Sequence, residues 1–216
     1  MAEEPDLTRG GLTPGPDGRE RCWWGVSAPD YMAYHDDEWG RPVTDDRGIY
    51  EKLTLEAFQS GLSWLTILRK RENFRAAFAG FEIERVARFD DADVARLMAD
   101  AGIVRNRLKV AAAITNARAA QAMLADGESL AELVWSFRLD PPDAPPTAAD
   151  LPATTDGSKT LARELKRRGF AFVGPTTVYS TMQAVGVVND HLAGCFVRED
   201  VERERAVAAI NRRAAR

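Results

Sequence analysis

The chain holds two cysteines and two histidines in 216 residues, and these four fall into two short segments far apart in sequence. Cys22 and His35 are separated by twelve residues, while His191 and Cys195 are spaced i, i+4. On a helix that second spacing puts both side chains on one face, with ligating atoms able to converge. Thiolate and imidazole are ligands that zinc prefers, and four of them complete a tetrahedral site with no open position. A metal held that way is structural rather than catalytic, and it staples the start of the domain to its end. No HExxH segment is present, so a metalloprotease reading gains nothing. Other readings of the same residues stay open: a disulfide, unpaired core cysteines, or histidines that are ordinary polar residues.

Between the two pairs the sequence reads as helices. Residues 45–60 carry Ile49, Leu53 and Ala57 on one face, with Asp45 or Asp46 as the cap. Ser63 caps a second helix bearing Leu65, Leu68 and Phe78. Asp90 or Asp91 opens a third, with Val94, Leu97 and Met98 inward, that stops at Gly102. A long helix follows from about Arg105 to Leu124, closed by "DG" at 126–127. "SLAE" at 129–132 has the capping-box pattern and opens a helix through Phe137. After a proline-rich connection at 139–152, a helix through Leu161 and Leu165 ends at Gly169. "GPTT" at 174–177 starts another, with Pro175 in its first turn, and Asn189 or Asp190 caps one holding His191 and Cys195. Strand signals are sparse; "FAFV" at 170–173 alternates only weakly. The expected fold class is all-α.

Residues 1–19 hold four glycines and three prolines with almost no apolar pattern, so they read as a flexible extension, with the folded domain spanning 20–197. Residues 198–216 form a charged tail that a helix could accommodate. An apolar fraction of 45% is enough for a core, and a net charge of −4 does not announce a nucleic-acid partner, so any DNA contact must come from a local patch. Neither a signal-peptide pattern nor a membrane-spanning apolar run is visible, and two cysteines make no disulfide scaffold; a soluble cytoplasmic monomer is expected.

Aromatic residues crowd around His35: Trp23, Trp24, Tyr31, Tyr34 and Trp39. Further on, Glu56 sits between Leu55 and Ala57 in a helix whose neighbours face the core, shortly before Trp64. In one reading the aromatics fill the core and Glu56 faces water. In the other, Tyr34 and Trp64 form a flat slot with Glu56 as the acceptor inside it, which suits a planar cation. In "ADAGIVRNRLKV" (99–110), Arg105, Arg107 and Lys109 crowd the start of a helix. Cations there oppose the helix dipole unless an anion joins them, so the turn reads as a phosphate site or a solvated charged turn. The basic stretches at 69–75 and 163–168 either reinforce that patch or are ordinary wet faces.

The segments "RCWWGVSAPDYMAYHDDEWGRP", "LTLEAFQSGLSWLTILRKRENFRAAF", "DAGIVRNRLKVAAAITNARA", "VWSF" and "LKRRGFAFVGPTTVYSTMQAVGVVNDHLAGC" resemble, in order, those of the bacterial 3-methyladenine DNA glycosylase I family. The resemblance covers about residues 20–196. It implies a helix-hairpin-helix DNA glycosylase fold with a structural Zn2+ bound by Cys22, His35, His191 and Cys195. It implies Glu56 as the catalytic pocket carboxylate and Tyr34 and Trp64 as residues stacking on the excised base. Trp24, Tyr31 and Trp39 match other aromatics around that pocket. Gly102, Ile103, Val104, Arg105 and Asn106 match the DNA-gripping hairpin. Members often carry one tryptophan after the cysteine where this chain has two, which leaves Trp23 unassigned.

The implied activity is base-excision repair of double-stranded DNA containing alkylated bases: hydrolysis of the N-glycosidic bond of 3-methyladenine, leaving an abasic site. Asp126 lies in a turn and makes no convincing counterpart to the aspartate that other helix-hairpin-helix glycosylases place after the hairpin, and no lysine is placed for Schiff-base chemistry. The expected enzyme is therefore a monofunctional hydrolase of the cytoplasm and nucleoid. A metal-stapled DNA-binding paralogue, acting on another adduct or without catalysis, is the rival.

Overall fold

The structure, a computed structural model, describes residues 10–138 and 144–214. Its described residues are mostly helical, and the chain divides into two compact units. One comprises Met1–Pro42, Arg138–Ala153 and Met182–Arg216; the other comprises Val43–Phe137 and Thr154–Thr181.

The second unit is built on α2 (Asp46–Gln59), α3 (Trp64–Ala77), α4 (Ile83–Ala87), α5 (Asp91–Ala99), α6 (Arg107–Ala125), α7 (Leu130–Trp135) and α8 (Asp156–Arg167), and it receives α9 (Pro175–Ala184), within which the boundary between units falls. Side-chain oxygens set the starts: Asp45 accepts from the Gly48 N–H, Ser63 from Thr66, Asp90 from Ala92 and Asp93, Asn106 from Lys109, Ser129 from Glu132 and Thr155 from Ser158. Each satisfies an amide that the helix itself cannot.

Helix α2 packs on α3, α6 and α7 and is buried on most of its circumference, from Ile49 to Phe58. Aromatic rings tie it to α3 and to the turn beyond α3. Phe58 meets Phe74 at 4.8 Å and Phe78 at 5.9 Å, Phe78 stacks on Phe81 at 5.7 Å, and Tyr50 meets Phe81 edge-on at 5.9 Å. The inward face of α6 is lined by Ala112, Ala113, Ala117 and Ala120, small enough for α4 to pack closely against it. On α3 the buried residues are Ile67, Phe74 and Ala77, so the core face is rotated from the one expected at Leu65 and Leu68. Helix α5 ends at Ala99, before the expected stop at Gly102, because Asp100 folds back to accept from the Gly102 N–H at 2.7 Å.

In the first unit, β1 (Leu12–Pro14) pairs antiparallel with β2 (Glu20–Cys22), placing Leu12 opposite Cys22. Ordered structure therefore begins before residue 20, which corrects the reading of 1–19 as flexible for residues 10–19; residues 1–9 lie outside the described residues. The strands leave no periodic signal in the sequence because each is only 3 residues long. A 3-10 turn at Trp23–Val26 leads into α1 (Pro29–Asp37), with Pro29 at its first position. The tail expected at 198–216 is α10 (Arg198–Ala214), which buries Val201 and Arg205. Arg205 donates to the carbonyl oxygens of Gly186 (2.7 Å) and Val187 (2.9 Å). Of the proline-rich connection, residues 139–143 lie outside the described residues, and a 3-10 turn covers Ala148–Asp150. No described helix is long and apolar enough to cross a membrane.

Candidate metal centre and candidate active site

Cys22 leaves β2, His35 sits on α1, and His191 and Cys195 come after α9; all four are buried within the first unit. One ligand atom from each lies within 4.8 Å of all the others. The Cys195 Sγ is 3.5 Å from His35 Nε2 and 3.6 Å from His191 Nδ1, and the Cys22 Sγ is 3.8 Å from His191 Nδ1. With usual zinc–sulfur and zinc–nitrogen bonds, a tetrahedral site has mixed edges of about 3.5 Å. The donor set and its spacing therefore fit a four-coordinate metal.

His191 and Cys195 do not lie on a helix, contrary to expectation. Residues 189–192 are irregular and 193–194 form a turn closed by the Cys195 N–H on the Leu192 carbonyl oxygen at 3.0 Å. Backbone amides that a helix would use internally are spent elsewhere: Leu192 N–H on the Cys22 Sγ (3.3 Å) and Ala193 N–H on the Pro145 oxygen (2.9 Å). Gly194, at φ 85°, makes the turn possible. The i, i+4 spacing converges through this turn rather than through a helical face.

Both imidazoles have outer partners. His191 donates from Nε2 to the Trp39 carbonyl oxygen at 3.0 Å, leaving Nδ1 toward the sulfurs. Gly40, at φ 81°, lets the backbone pass beneath that ring; a Cβ there would sit 3.2 Å from His191 Nε2. His35 donates from Nδ1 to Asp36 Oδ1 at 2.8 Å, leaving Nε2 toward Cys195. Burial holds the His191 imidazole below its ordinary pKa, which favours the neutral ring that a metal binds.

The aromatics expected around a base lie against this centre. Trp24 packs edge-on to His35 (5.1 Å), Trp39 (5.0 Å) and Tyr31 (5.8 Å), and tilted against Tyr34 (6.3 Å). Trp39 meets His191 edge-on at 4.7 Å. Trp23 packs with Phe196 against the cluster of Cys22, Leu192, Cys195 and Val197. Tyr34, on α1, is buried in the same unit.

Glu56 and Trp64 belong to the second unit, on α2 and at the start of α3. Glu56 does not face water: it is 6% exposed. Burial pushes its carboxyl up to about 8, with Lys52 one turn earlier pulling the other way. Such a group is poised near neutral pH to change charge when a cation approaches.

Residues 100–106 join α5 to α6. Ile103 is buried, Arg105 and Arg107 are exposed, and Asn106 caps α6 by accepting from the Lys109 N–H at 3.1 Å. Lys109 does not join a phosphate patch. Its ammonium is buried and donates to the carbonyl oxygens of Phe58 (2.8 Å) and Ser60 (2.6 Å). Lys70 of α3 donates to the carbonyl oxygens of Ala101 and Gly102, both at 3.1 Å, and Asn73 reaches Gly102 at 3.3 Å. These two latching residues belong to the 69–75 basic stretch, where only charge is legible in the sequence. At 163–168, Arg167 and Arg168 instead pair with Glu164, and Arg168 also with Glu128.

The class is thus a mostly helical protein with a buried Cys2His2 cluster able to hold a metal and a buried carboxyl on a core helix. The chain belongs to the methyladenine glycosylase family, whose model matches residues 24–199. DNA-3-methyladenine glycosylase 1 of Escherichia coli K12 is 49% identical over 178 residues, 82% of this chain and 95% of that protein. A crystal structure of 3-methyladenine DNA glycosylase I, also 49% identical, superposes with a TM-score of 0.79 over 82% of this chain and 98% of that one. A structure of the Staphylococcus aureus enzyme, described as the basis of its 3-methyladenine recognition, is 36% identical with a TM-score of 0.76, covering 81% of this chain and 94% of that one.

Proposed function

We propose that this protein is a DNA-3-methyladenine glycosylase of base-excision repair. It hydrolyses the N-glycosidic bond of 3-methyladenine in alkylated duplex DNA, releases the free base and leaves an abasic site. The family match over residues 24–199, with a buried Glu56 inside it, carries the reading.

A base stacked in a duplex cannot reach an enclosed carboxyl, so the nucleotide is flipped out. Methylation at N3 makes the adenine cationic; water adds to the sugar carbon and gives up a proton to solvent, while the base leaves with the glycosidic electron pair and loses its positive charge. The base is already a good leaving group, so selection and positioning are the protein's main tasks. Glu56 accepts a hydrogen bond from the exocyclic amine. Its carboxyl, pushed up to about 8, is largely protonated until a cation arrives, and binding then expels the proton. Tyr34 and Trp64 stack on the ring, each contact contributing about 1–3 kcal/mol by analogy with other base–aromatic stacks. By the resemblance, Trp24, Tyr31 and Trp39 are further aromatics of the base site. Neutral adenine brings no charge to stabilise the buried carboxylate, and is rejected.

Residues Gly102, Ile103, Val104, Arg105 and Asn106 act as the hairpin of a helix-hairpin-helix motif that grips the DNA backbone. Support comes from the exposed Arg105 and from the carbonyls of 101 and 102 being taken up by Lys70, which leaves the loop with a fixed shape. Cys22, His35, His191 and Cys195 would hold a structural Zn2+ whose only contribution is to fix this part of the fold. The enzyme acts as a monomer in the cytoplasm, at the nucleoid, and has no lyase activity.

Mass spectrometry of bases released from methylated duplex DNA tests the reading. Release of 3-methyladenine with the strand intact at the abasic site is expected. No released base would favour a binding module, release of another adduct a different specificity, and a borohydride-trapped adduct a lyase.

A further inference from the structure

Beside the Cys/His cluster lies a chain of charges centred on the buried Arg21 that the base-excision reading does not use. Arg21 is 2% exposed and sits one residue before Cys22. Its guanidinium donates to Asp36 from Nε (3.0 and 3.1 Å) and Nη2 (2.8 Å), and to Asp17 from Nη1 (2.7 Å) and Nη2 (2.9 Å). Asp36 is the carboxylate that accepts from His35 Nδ1. The same guanidinium lies 4.7 Å from the centre of the Phe196 ring, next to Cys195, with Arg19 at 4.2 Å. Phe196 N–H donates to the Glu20 oxygen at 3.0 Å, so the residue after Cys195 is bound to β2. One arginine thus touches the outer side of both halves of the cluster. Asp17, Arg19 and Arg21 all precede residue 24, where the family match begins.

We infer that Asp17, Arg21 and Asp36 form the outer shell of the metal centre, holding His35 in the tautomer that offers Nε2 to the metal and slowing metal loss. The inference rests on the metal reading of Cys22, His35, His191 and Cys195. A metal-bound imidazole is directionally fixed by the acceptor on its other nitrogen, and removing such acceptors costs roughly 10–100-fold in metal affinity. Asp36 is that acceptor. Arg21 fixes Asp36 by a two-pronged contact, and Asp17 supplies the second carboxylate that a buried guanidinium needs. The β1–β2 ribbon, outside the family match, is what delivers Asp17. These are positioning residues; none supplies a ligand atom to the cluster.

The test is zinc content and the rate of zinc transfer to a chromogenic chelator, measured on the full chain. Visible spectra of the cobalt(II)-substituted protein serve as a second readout that general destabilisation would not move. Asp36→Asn should release zinc at least about tenfold faster, with a shifted cobalt band and an unchanged far-UV circular dichroism spectrum. Asp17→Asn, at a more exposed carboxylate, should accelerate release about threefold in the same direction and decides the matter if Asp36→Asn does not fold. Zinc-loaded wild type with unchanged release in the folded variants would overturn this inference alone. Wild-type protein that binds no zinc would overturn the metal reading and this inference with it.

Discussion

The ammonium of Lys109 donates to the Ser60 carbonyl oxygen at 2.6 Å and also caps Phe58, so the first turn of α6 closes the C-terminal end of the helix that carries Glu56. The end of a helix leaves carbonyls without partners, and a cation is the favoured group there. Lys109→Met keeps the apolar stem and removes the cap. It should destabilise the protein by about 1.5–3 kcal/mol, read as a lower urea midpoint. An unchanged midpoint would show that the contact carries no stability.

Glu56 gives a pH signature. Its folded pKa, about 8, lies above the ordinary carboxyl value of 4.5, so between these limits the folded state keeps a proton that the unfolded state has lost. Stability therefore falls as pH rises through this window, with a limiting slope of about 1.4 kcal/mol per pH unit from this group. Glu56→Gln lacks the slope. Unfolding curves at pH 5, 6, 7 and 8 should show the variant gaining on wild type as pH rises; parallel profiles would mean that Glu56 titrates normally.

Metal removal should loosen the fold without altering the chemistry of excision. The four candidate ligands join the β2–α1 segment to the turn after α9, two segments distant in sequence. A bound ion that only the folded state can hold stabilises it by mass action. A strong chelator should lower the thermal midpoint by about 10 °C or more, at about 2–4 °C per kcal/mol lost. An unshifted midpoint in chelator-stripped protein would contradict the staple.

Much of the fold is legible in the sequence because helix starts are written locally. Asp45, Ser63, Asp90 and Ser129 each cap a helix through their own side chains, within three residues of chain. Features that depend on distant partners are not legible. His191 and Cys195 carry a helical spacing, yet Leu192 and Ala193 send their amides to Cys22 and Pro145, and no local pattern announces that. Lys109 reads as one more cation at a phosphate site because sequence shows a charge and not its target. Arg21 and Asp36 escape notice for the same reason: an exposed ion pair and a buried one read alike until the segments are brought together. The Cys/His cluster is legible as a set of scarce residues, and Glu56 as a carboxylate between Leu55 and Ala57.

Single-turnover excision of 3-methyladenine from methylated duplex DNA, wild type against Glu56→Gln, tests the central claim most directly. The account predicts a loss of about 100-fold or more in the variant, corresponding to about 2.7 kcal/mol in the barrier, with its circular dichroism unchanged. Equal rates in the two proteins would contradict it.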